Sequence, residues 1–273
     1  MGRKFTLIIV GLCLCGARII EGAQAPTPEE LLEEISSARV RRGKSFDRVP
    51  IVDGSTSYDW PLHNADLANS RFVPLDQINA QNVNKMSVDW LYHTGNSRGT
   101  PIVVKGLMYI AKSDSVVALD ASTGRPVWEN TDASGTRGAA YGQGVVYVAS
   151  DVRVMALDAI TGEFVEGFGD SGVSVVLSEV LRIKYPNLEE PMKWGYRYNM
   201  APQYHDGVLI VGTALSESHI PGGLVLAIDA STGSLLWSFL TIPQGPDDEG
   251  WDIAKDTWAG GVRHGGGVWG TPA

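Results

Sequence analysis

The stretch VVALDASTGRPVW, from Val116 to Trp128, recurs as VMALDAITGEFVE at 154–166 and as VLAIDASTGSLLW at 225–237. Each copy runs from alternating apolar residues into Asp, Ala, a variable residue, Thr and Gly. This is the pattern of a strand that enters a tight turn and leads into a second strand. The Gly supplies the turn position with positive φ, and the Asp or Thr can hydrogen-bond the local backbone.

The spacing of the repeats predicts a β-propeller. Asp120, Asp158 and Asp229 head the three turns and lie 38 and 71 residues apart, and one strand-rich unit per ~40 residues is the length of a propeller blade. We therefore expect an all-β fold, a partial β-propeller with three four-stranded blades over about residues 100–241. Each LDA-x-TG segment should join the third and fourth strands of its blade. Complete rings have about four to eight blades, so the chain is expected to be the first part of a longer propeller.

The composition and the N-terminus predict an exported protein. The chain has 273 residues, 44% of them apolar, with 32 Gly and 14 Pro, which suits short strands joined by turns. Arg3 and Lys4 precede an apolar run that is too short to span a bilayer comfortably and is typical of a secretory signal. The predicted organisation is a signal peptide at 1–25, a short helix and linker at 26–58, and the propeller at 59–273. The expected location is periplasmic or secreted.

Several function classes are excluded by residue counts. Cys13 and Cys15 are the only cysteines, and both lie in the predicted signal, so no disulfide or thiolate site is expected after cleavage. Removing residues 1–25 leaves 19 basic and 30 acidic residues, a net charge of about −11, which argues against nucleic acid as a partner. The five His residues are scattered without the spacing of metal ligands.

Three segments fall outside the repeat. Residues 59–95 are rich in turns, and their last part, Met86 to Thr94, alternates as a strand that is expected to pair with none of the three blades. Residues 175–199 contain no LDA-x-TG unit and are interpreted as an insertion between the second and third blades. The last residues, WAGGVRHGGGVWGTPA, begin another unit.

The chain resembles the quinoprotein alcohol and sugar dehydrogenases. The resemblance rests on WPLHNADLANSRFVPLDQINAQNV, the repeated ALDA-x-TG, RGAAYGQGVVYVAS, FGDSG, VGTALSE, SFLTIP and GGGVWG, in this order from Asp59 to Ala273. It implies a secreted eight-bladed propeller, of which this chain matches about the first half, with pyrroloquinoline quinone (PQQ) and Ca²⁺ bound on the axis.

The resemblance also assigns candidate site residues. Arg137, in TRGAAY, matches an arginine that faces the carboxylates of the quinone, a role that suits a planar, permanently charged side chain. Glu217, in VGTALSE, matches a glutamate that ligates calcium. Thr213 and Ala214 fall where the family packs small and hydroxyl side chains against the cofactor, and Trp269 matches the tryptophan on which the quinone lies. All of them are expected at one end of the propeller axis.

The sequence departs from the family pattern at two places. Residues 130–136 contain no Cys, where many alcohol-oxidising members have adjacent cysteines, and this favours the glucose- or polyol-type members. Arg98 stands about where some members have a Glu that touches the cofactor. The catalytic aspartate and the asparagine ligand of calcium fall beyond Ala273.

Two functions remain open at this point. The first is a dehydrogenase in which PQQ accepts hydride from an alcohol, polyol or sugar, with a cytochrome or a quinone as the electron acceptor. The second is a non-enzymatic propeller that uses the same repeats as a protein-interaction scaffold. Taken apart from the resemblance, Arg137 has the features of a surface arginine in a turn, Glu217 of a solvated loop residue, and Trp269 of a blade tryptophan. Their joint occurrence at matching places favours the dehydrogenase.

Overall fold

Three antiparallel sheets of four strands each follow one another along the chain, as the repeats predict. The computed structural model describes residues 59–95, 97–135, 137–186, 194–213, 220–258 and 263–272. Blade 1 consists of β1 (Ile102–Val104), β2 (Leu107–Ala111), β3 (Val116–Asp120) and β4 (Pro126–Asn130). Blade 2 consists of β5 (Ala139–Gly142), β6 (Val145–Ser150), β7 (Arg153–Asp158) and β8 (Val173–Ser174). Blade 3 consists of β9 (Gln203–His205), β10 (Val208–Gly212), β11 (Leu224–Asp229) and β12 (Leu235–Leu240).

The prediction of a partial propeller is confirmed. In every blade the strands pair with their sequence neighbours, and the first strands of successive blades lie side by side. The middle strands are largely buried, because blade 2 packs between blades 1 and 3 and the side chains of Trp90 and Tyr92 pack on the outer face of blade 1. One apolar core lies between blades 1 and 2 and includes Tyr109, Val148 and Leu157. A second lies between blades 2 and 3 and includes Tyr147 and Leu226.

The LDA-x-TG segments form the turns that the sequence predicts, at the junction of the third and fourth strands in blades 1 and 3. Each Asp carboxylate accepts hydrogen bonds from the backbone N–H groups two and three residues later, at 2.8–2.9 Å. At Asp229 the Ser231 hydroxyl, followed by the two N–H groups, holds the pKa of the carboxyl below its usual value. The turn glycines are left-handed, with φ of 67° at Gly124 and 72° at Gly233, a conformation that other residues rarely adopt.

Blades 1 and 2 are joined by a tryptophan of blade 1 that packs on the turn of blade 2. Trp128, on β4, is 7% exposed, and its Nε1 donates to the Ala159 carbonyl oxygen at 3.0 Å. Its ring covers Gly162 so closely that a Cβ there would lie 2.4 Å from the indole. Gly162 is therefore required for the close approach of the ring as well as for its φ of 74°.

Trp90 repeats this arrangement at the start of the propeller. Its Nε1 donates to the Ala121 carbonyl oxygen at 3.2 Å, and its ring covers Gly124. Residues 86–94 form no strand, so the strand predicted there is wrong, whereas the expectation that they pair with no neighbouring blade agrees with the structure. The segment contributes its aromatic side chains to the outer face of blade 1 and leaves its backbone outside the sheet.

The outer part of blade 2 differs from that of the other blades. Phe164 makes only an isolated bridge to Leu157, and the chain then loops out before β8 pairs with β7. The position equivalent to Trp128 is Glu166, so the junction with blade 3 needs other contacts. The Ser174 hydroxyl donates to the Gly233 carbonyl oxygen at 2.6 Å, and the Gly169 N–H donates to the Thr232 carbonyl oxygen at 2.8 Å.

The insertion between blades 2 and 3 contains helix α1 (Val176–Lys184), whose buried face includes Leu177 and Leu181. Lys184 forms an ion pair at 3.0 Å with Asp248, just before the short helix α2 (Trp251–Ala254). A 3-10 turn covers Val83–Lys85. Over the described ranges, neither helix has the length and apolar character needed to cross a bilayer. The predicted signal, helix and linker in residues 1–58 lie outside the described residues.

The hydroxyl of Tyr147 links blade 2 to blade 3. Tyr147 donates to the Ala230 carbonyl oxygen at 2.9 Å and stacks on Tyr204 with ring centroids 5.9 Å apart. Tyr147→Phe is expected to lower the free energy of unfolding by about 1 kcal/mol, because a buried carbonyl loses its partner. The measurement is urea unfolding. Tyr204→Phe is the control, since the Tyr204 hydroxyl donates to no described residue; equal losses in the two variants would contradict the assignment.

Candidate functional site

The candidate site lies where each unit begins its innermost strand. Thr100 and Gly138, just before β1 and β5, form a parallel bridge. Thr271 takes the same place for the unit that begins at the end of the chain, and its hydroxyl donates to the Ala201 carbonyl oxygen at 3.4 Å. Side chains just before these positions, such as Arg137 before Gly138 and Trp269 before Thr271, therefore come close together although their units are far apart in the sequence.

Arg137 and Trp269 meet at this place although 132 residues separate them in the chain. The Arg137 guanidinium carbon lies 5.2 Å from the centroid of the Trp269 ring, a cation–π distance. Arg137 is half-buried, whereas Trp269 is 57% exposed. The indole therefore has surface left for a ligand, and a fixed positive charge stands beside it.

Asn199 is a site residue that the sequence analysis missed. Its Oδ1 accepts a hydrogen bond from Arg137 Nε at 3.4 Å. The insertion places Asn199 beside Arg137, because the preceding residue, Tyr198, forms backbone bridges to Asp151 of blade 2 and to Thr213 of blade 3. A signal was present in the sequence: Asn199 stands two residues before the Ala-Pro that opens blade 3, as Trp269 stands two residues before Thr271.

Thr213 is fully buried at the end of β10. Its hydroxyl accepts from the Leu224 N–H at 2.8 Å, and its carbonyl oxygen accepts from the Val268 N–H at 2.6 Å. Thr213 thus anchors the residue that precedes Trp269. Contact of its side chain with a cofactor stays a prediction.

Glycines of blade 3 allow the closing segment, residues 263–272, to approach that blade closely. A Cβ on Gly223 would lie 2.4 Å from the Gly266 carbonyl oxygen, and a Cβ on Gly212 would lie 2.7 Å from the Val268 side chain. The Thr241 hydroxyl donates to the Gly266 carbonyl oxygen at 2.6 Å. The segment that carries Trp269 is therefore held close to the backbone of blade 3.

A second group of polar side chains borders Arg137 from the loop before blade 1. His63 is half-buried, and its Nδ1 is buried with no hydrogen-bond partner among the described residues. Burial, and then the charges of Arg71 and Arg137, lower the pKa of His63. Both causes favour the neutral imidazole. Arg98 is exposed.

The predicted metal ligand, Glu217, lies four residues after Thr213 and outside the described residues, as does Ala214. Over the ranges that are described, no group of three His, Cys, Asp or Glu side chains could hold a metal ion. The calcium assignment of Glu217 stays a prediction from the resemblance.

The described side chains fit a planar, anionic, aromatic ligand. The exposed indole offers a flat apolar surface, and the guanidinium beside it offers paired donors to a carboxylate. Asn199 holds the guanidinium from a third side. PQQ, a planar quinone with carboxylates, has the chemistry that this set of donors can bind.

Comparison with known proteins gives the family. Residues 60–273 match the family model described as glucose/ethanol/alcohol dehydrogenase, beta-propeller domain, PQQ. A quinohemoprotein alcohol dehydrogenase from Comamonas testosteroni is 33% identical over 220 residues, which cover 73% of this chain and 28% of that protein. A polyvinylalcohol dehydrogenase from a Pseudomonas species is 25% identical over 271 residues, covering 94% of this chain and 40% of that protein. The chain thus spans less than half the length of these relatives.

Solved structures agree with the sequence match. The quinohemoprotein alcohol dehydrogenase ADHIIG from Pseudomonas putida superposes with a TM-score of 0.63 at 30% identity, covering 78% of this chain and 32% of that one. A europium-containing methanol dehydrogenase superposes with a TM-score of 0.55 at 28% identity, covering 69% and 32%. The repeats, the three blades and the family match over residues 60–273 together show that this chain belongs to the PQQ-dependent glucose/ethanol/alcohol dehydrogenase β-propeller family.

Proposed function

We propose that this chain supplies the PQQ-binding blades of a dehydrogenase that oxidises an alcohol, a polyol or a sugar. The observation that carries the proposal is the Arg137 guanidinium, 5.2 Å from the centroid of an indole that is 57% exposed. An interaction scaffold does not require a charged side chain held beside an exposed aromatic face. When bound, PQQ supplies a quinone carbonyl carbon that accepts hydride from the substrate.

Each residue has a binding or orienting role in this proposal. Trp269 carries the flat face of the cofactor, and Arg137 binds a carboxylate with its fork of N–H donors. Asn199 fixes the direction of the guanidinium through the hydrogen bond to Nε. Thr213 holds the segment before Trp269 in place through the Val268 N–H.

Three further elements of the proposal come from the sequence. Glu217 is proposed to bind the metal, Ca²⁺ by the resemblance, and Ala214 to pack on the cofactor. The predicted signal at 1–25 supports a periplasmic or secreted protein, and the N-terminal sequence of the exported protein would test it. The electron acceptor is proposed to be a cytochrome or a quinone.

Binding of PQQ tests the proposal directly. The full-length gene product, purified without cofactor, is titrated with PQQ in the presence of Ca²⁺ or, separately, of Eu³⁺, and the quenching of tryptophan fluorescence is followed. Dye reduction with ethanol, glucose and a polyol then gives the substrate class. Absence of PQQ binding with either metal would refute the proposal and favour the interaction scaffold.

Arg137→Ala is expected to weaken PQQ binding by about 10- to 100-fold, since a hydrogen bond to a charged group contributes about 1.5–3 kcal/mol and about 1.4 kcal/mol is a tenfold change in affinity. Arg137→Lys should lose less, because it keeps the charge without the fork. The control is Arg125→Ala, which removes an exposed arginine in the turn of blade 1. Equal affinities of Arg137→Ala and Arg125→Ala would contradict the role of Arg137.

A further inference from the structure

The backbone of the turn that carries Arg137 packs closely against Gly99 of the preceding unit. A Cβ on Gly99 would lie 2.6 Å from the Gly138 nitrogen and 2.8 Å from the Arg137 carbonyl carbon. Side chains do not approach backbone atoms so closely, and the backbone at 137–138 cannot move aside as a flexible side chain can. Gly99 does not have the left-handed φ that favours glycine, so glycine is needed here for space.

His63 lies beside the same turn, next to Gly138. A Cβ built on Gly138 would lie 3.4 Å from His63 Nδ1, 3.4 Å from the Ala201 Cβ and 3.2 Å from the Thr100 carbonyl oxygen. Gly138 has φ of 130°. The peptide after Arg137 is thus enclosed by the loop before blade 1 and by the first residues of blades 1 and 3.

The loop that carries His63 is itself fixed to the inner strands. Its start pairs with blade 1 through Trp60 and Val103 at 2.6 and 2.9 Å, and the Pro61 carbonyl oxygen accepts from the Tyr141 N–H of blade 2 at 2.9 Å. Beyond His63, Arg71 Nε donates to Asn64 Oδ1 at 2.8 Å. Ala65 and Arg71 have positive φ, 75° and 51°, which side chains adopt only where the surroundings impose it.

We propose that Gly99 and His63 are positioning residues for Arg137, which aim its guanidinium at the Trp269 face before an anionic cofactor arrives. The proposal rests on the function proposed above. Arginine has a long side chain with much rotational freedom, and a fixed backbone turn restricts where its fork can reach. The turn has little space on the two sides that Gly99 and His63 cover, so a change at either residue alters the direction of the guanidinium.

The first experiment compares Gly99→Ala with Gly270→Ala in the full-length protein. Gly270 adjoins Trp269, but a Cβ there meets nothing within 4 Å and its φ is not left-handed, so it is a matched control. Each protein is titrated with PQQ and with the neutral trimethyl ester of PQQ. The ratio of the two affinities measures recognition of the carboxylates, and thermal unfolding checks that each variant is folded.

Gly99→Ala is expected to lose about tenfold in this ratio through weaker PQQ binding, with the affinity for the ester unchanged, because a displaced guanidinium affects only the charged ligand. Gly270→Ala should retain the wild-type ratio. The double variant Gly99→Ala/Arg137→Ala should have the same ratio as Arg137→Ala alone, since Gly99 acts through Arg137. Equal weakening of both ligands, or additive losses in the double variant, would show a merely structural role.

A second measurement does not depend on the cofactor. Hydrogen exchange of the cofactor-free protein, followed by mass spectrometry, should be faster in the peptide that contains Arg137 in Gly99→Ala than in Gly270→Ala. For His63, the variant His63→Ala should lower the affinity ratio, and added imidazole should restore it by filling the vacated space.

The two proposals fail in different ways. Wild-type protein that binds PQQ with a strong preference over the ester, together with unchanged ratios in Gly99→Ala and His63→Ala, would overturn the positioning role alone. Wild-type protein that binds neither ligand would overturn the proposed function and, with it, this inference.

Discussion

Trp128→Ala is expected to lower the free energy of unfolding by about 3–5 kcal/mol, the usual cost of removing a buried tryptophan. The ring is 7% exposed, covers Gly162 and lies 6.0 Å from the ring of Tyr109. The substitution would open a cavity between blades 1 and 2 and leave the Ala159 carbonyl oxygen with one donor fewer. Urea unfolding of residues 26–273, followed by circular dichroism, gives the difference.

The chain contains its own control for this experiment. Trp237 stands at the equivalent position of blade 3, on β12, but it is 49% exposed. Trp237→Ala in the same 26–273 protein is expected to cost less than about 1 kcal/mol, as a surface substitution does. Comparable losses for Trp128 and Trp237 would mean that blade packing does not depend on the covered turn.

The same pair of variants also reports on a following blade. If the full-length gene product continues with another repeat, its turn would cover Trp237 as the turn of blade 2 covers Trp128. The cost of Trp237→Ala should then rise towards that of Trp128→Ala in the longer protein. A cost that stays small there would show that β12 packs against something other than a turn of the same kind.

Residues 26–273 alone are expected neither to retain PQQ with Ca²⁺ nor to reduce a dye with ethanol or glucose. The described part of the site consists of Arg137, Asn199 and Trp269, which approach the ligand from the first blades only. Glu217 is one carboxylate, whereas calcium takes about 6–8 oxygen ligands. The loss relative to the full-length protein should therefore be complete rather than partial.

The measurement is a titration of the purified 26–273 protein with PQQ and Ca²⁺, with the full-length protein as the control. The outer strand of blade 3 exposes four large apolar side chains, each 38–50% accessible: Leu235, Leu236, Trp237 and Phe239. We expect these residues to cause association, visible as concentration-dependent sedimentation. Tight stoichiometric binding of PQQ by residues 26–273 would contradict the need for further blades.

Local chemistry explains which parts of the fold could be predicted. The turns around Asp120 and Asp229 are specified within six residues, because each Asp caps the N–H groups that follow it and each Gly takes the left-handed position. Alternating apolar residues on either side then fix the two strands. The three sheets follow from the repetition of this unit.

The errors arose where tertiary contacts override the local pattern. Met86 to Thr94 alternates as a strand does, but its neighbour is the turn of blade 1, which binds the Trp90 ring and offers no strand edge. Blade 2 has Glu166 where a tryptophan would lie, its outer strand is interrupted after Phe164, and the Ser174 hydroxyl makes a contact with the turn of blade 3. Neither rearrangement follows from the periodicity of the residues.

The candidate site was predicted only in part, for a similar reason. Arg137 and Trp269 carry a recognisable sequence context, and the structure brings them together. Asn199 lies in an insertion without a repeat, and His63 lies in a loop whose path depends on blades 1 and 2. The hydrogen bond between Arg137 and Asn199, which are 62 positions apart, depends on how whole blades stack. No local sequence pattern specifies that stacking.

The contacts of Trp90 and Trp128 with turns further along the chain have a consequence for synthesis on the ribosome. Trp90 and Trp128 each reach a carbonyl oxygen 31 residues further along the chain, so each indole is made before the turn that covers it. At about 5–20 residues per second, the delay is roughly 2–6 s. During each of these two intervals the nascent protein displays an uncovered indole, Trp90 before the turn of blade 1 is made and Trp128 before the turn of blade 2 is made. Chaperones that bind exposed aromatic segments would meet a binding site in each interval.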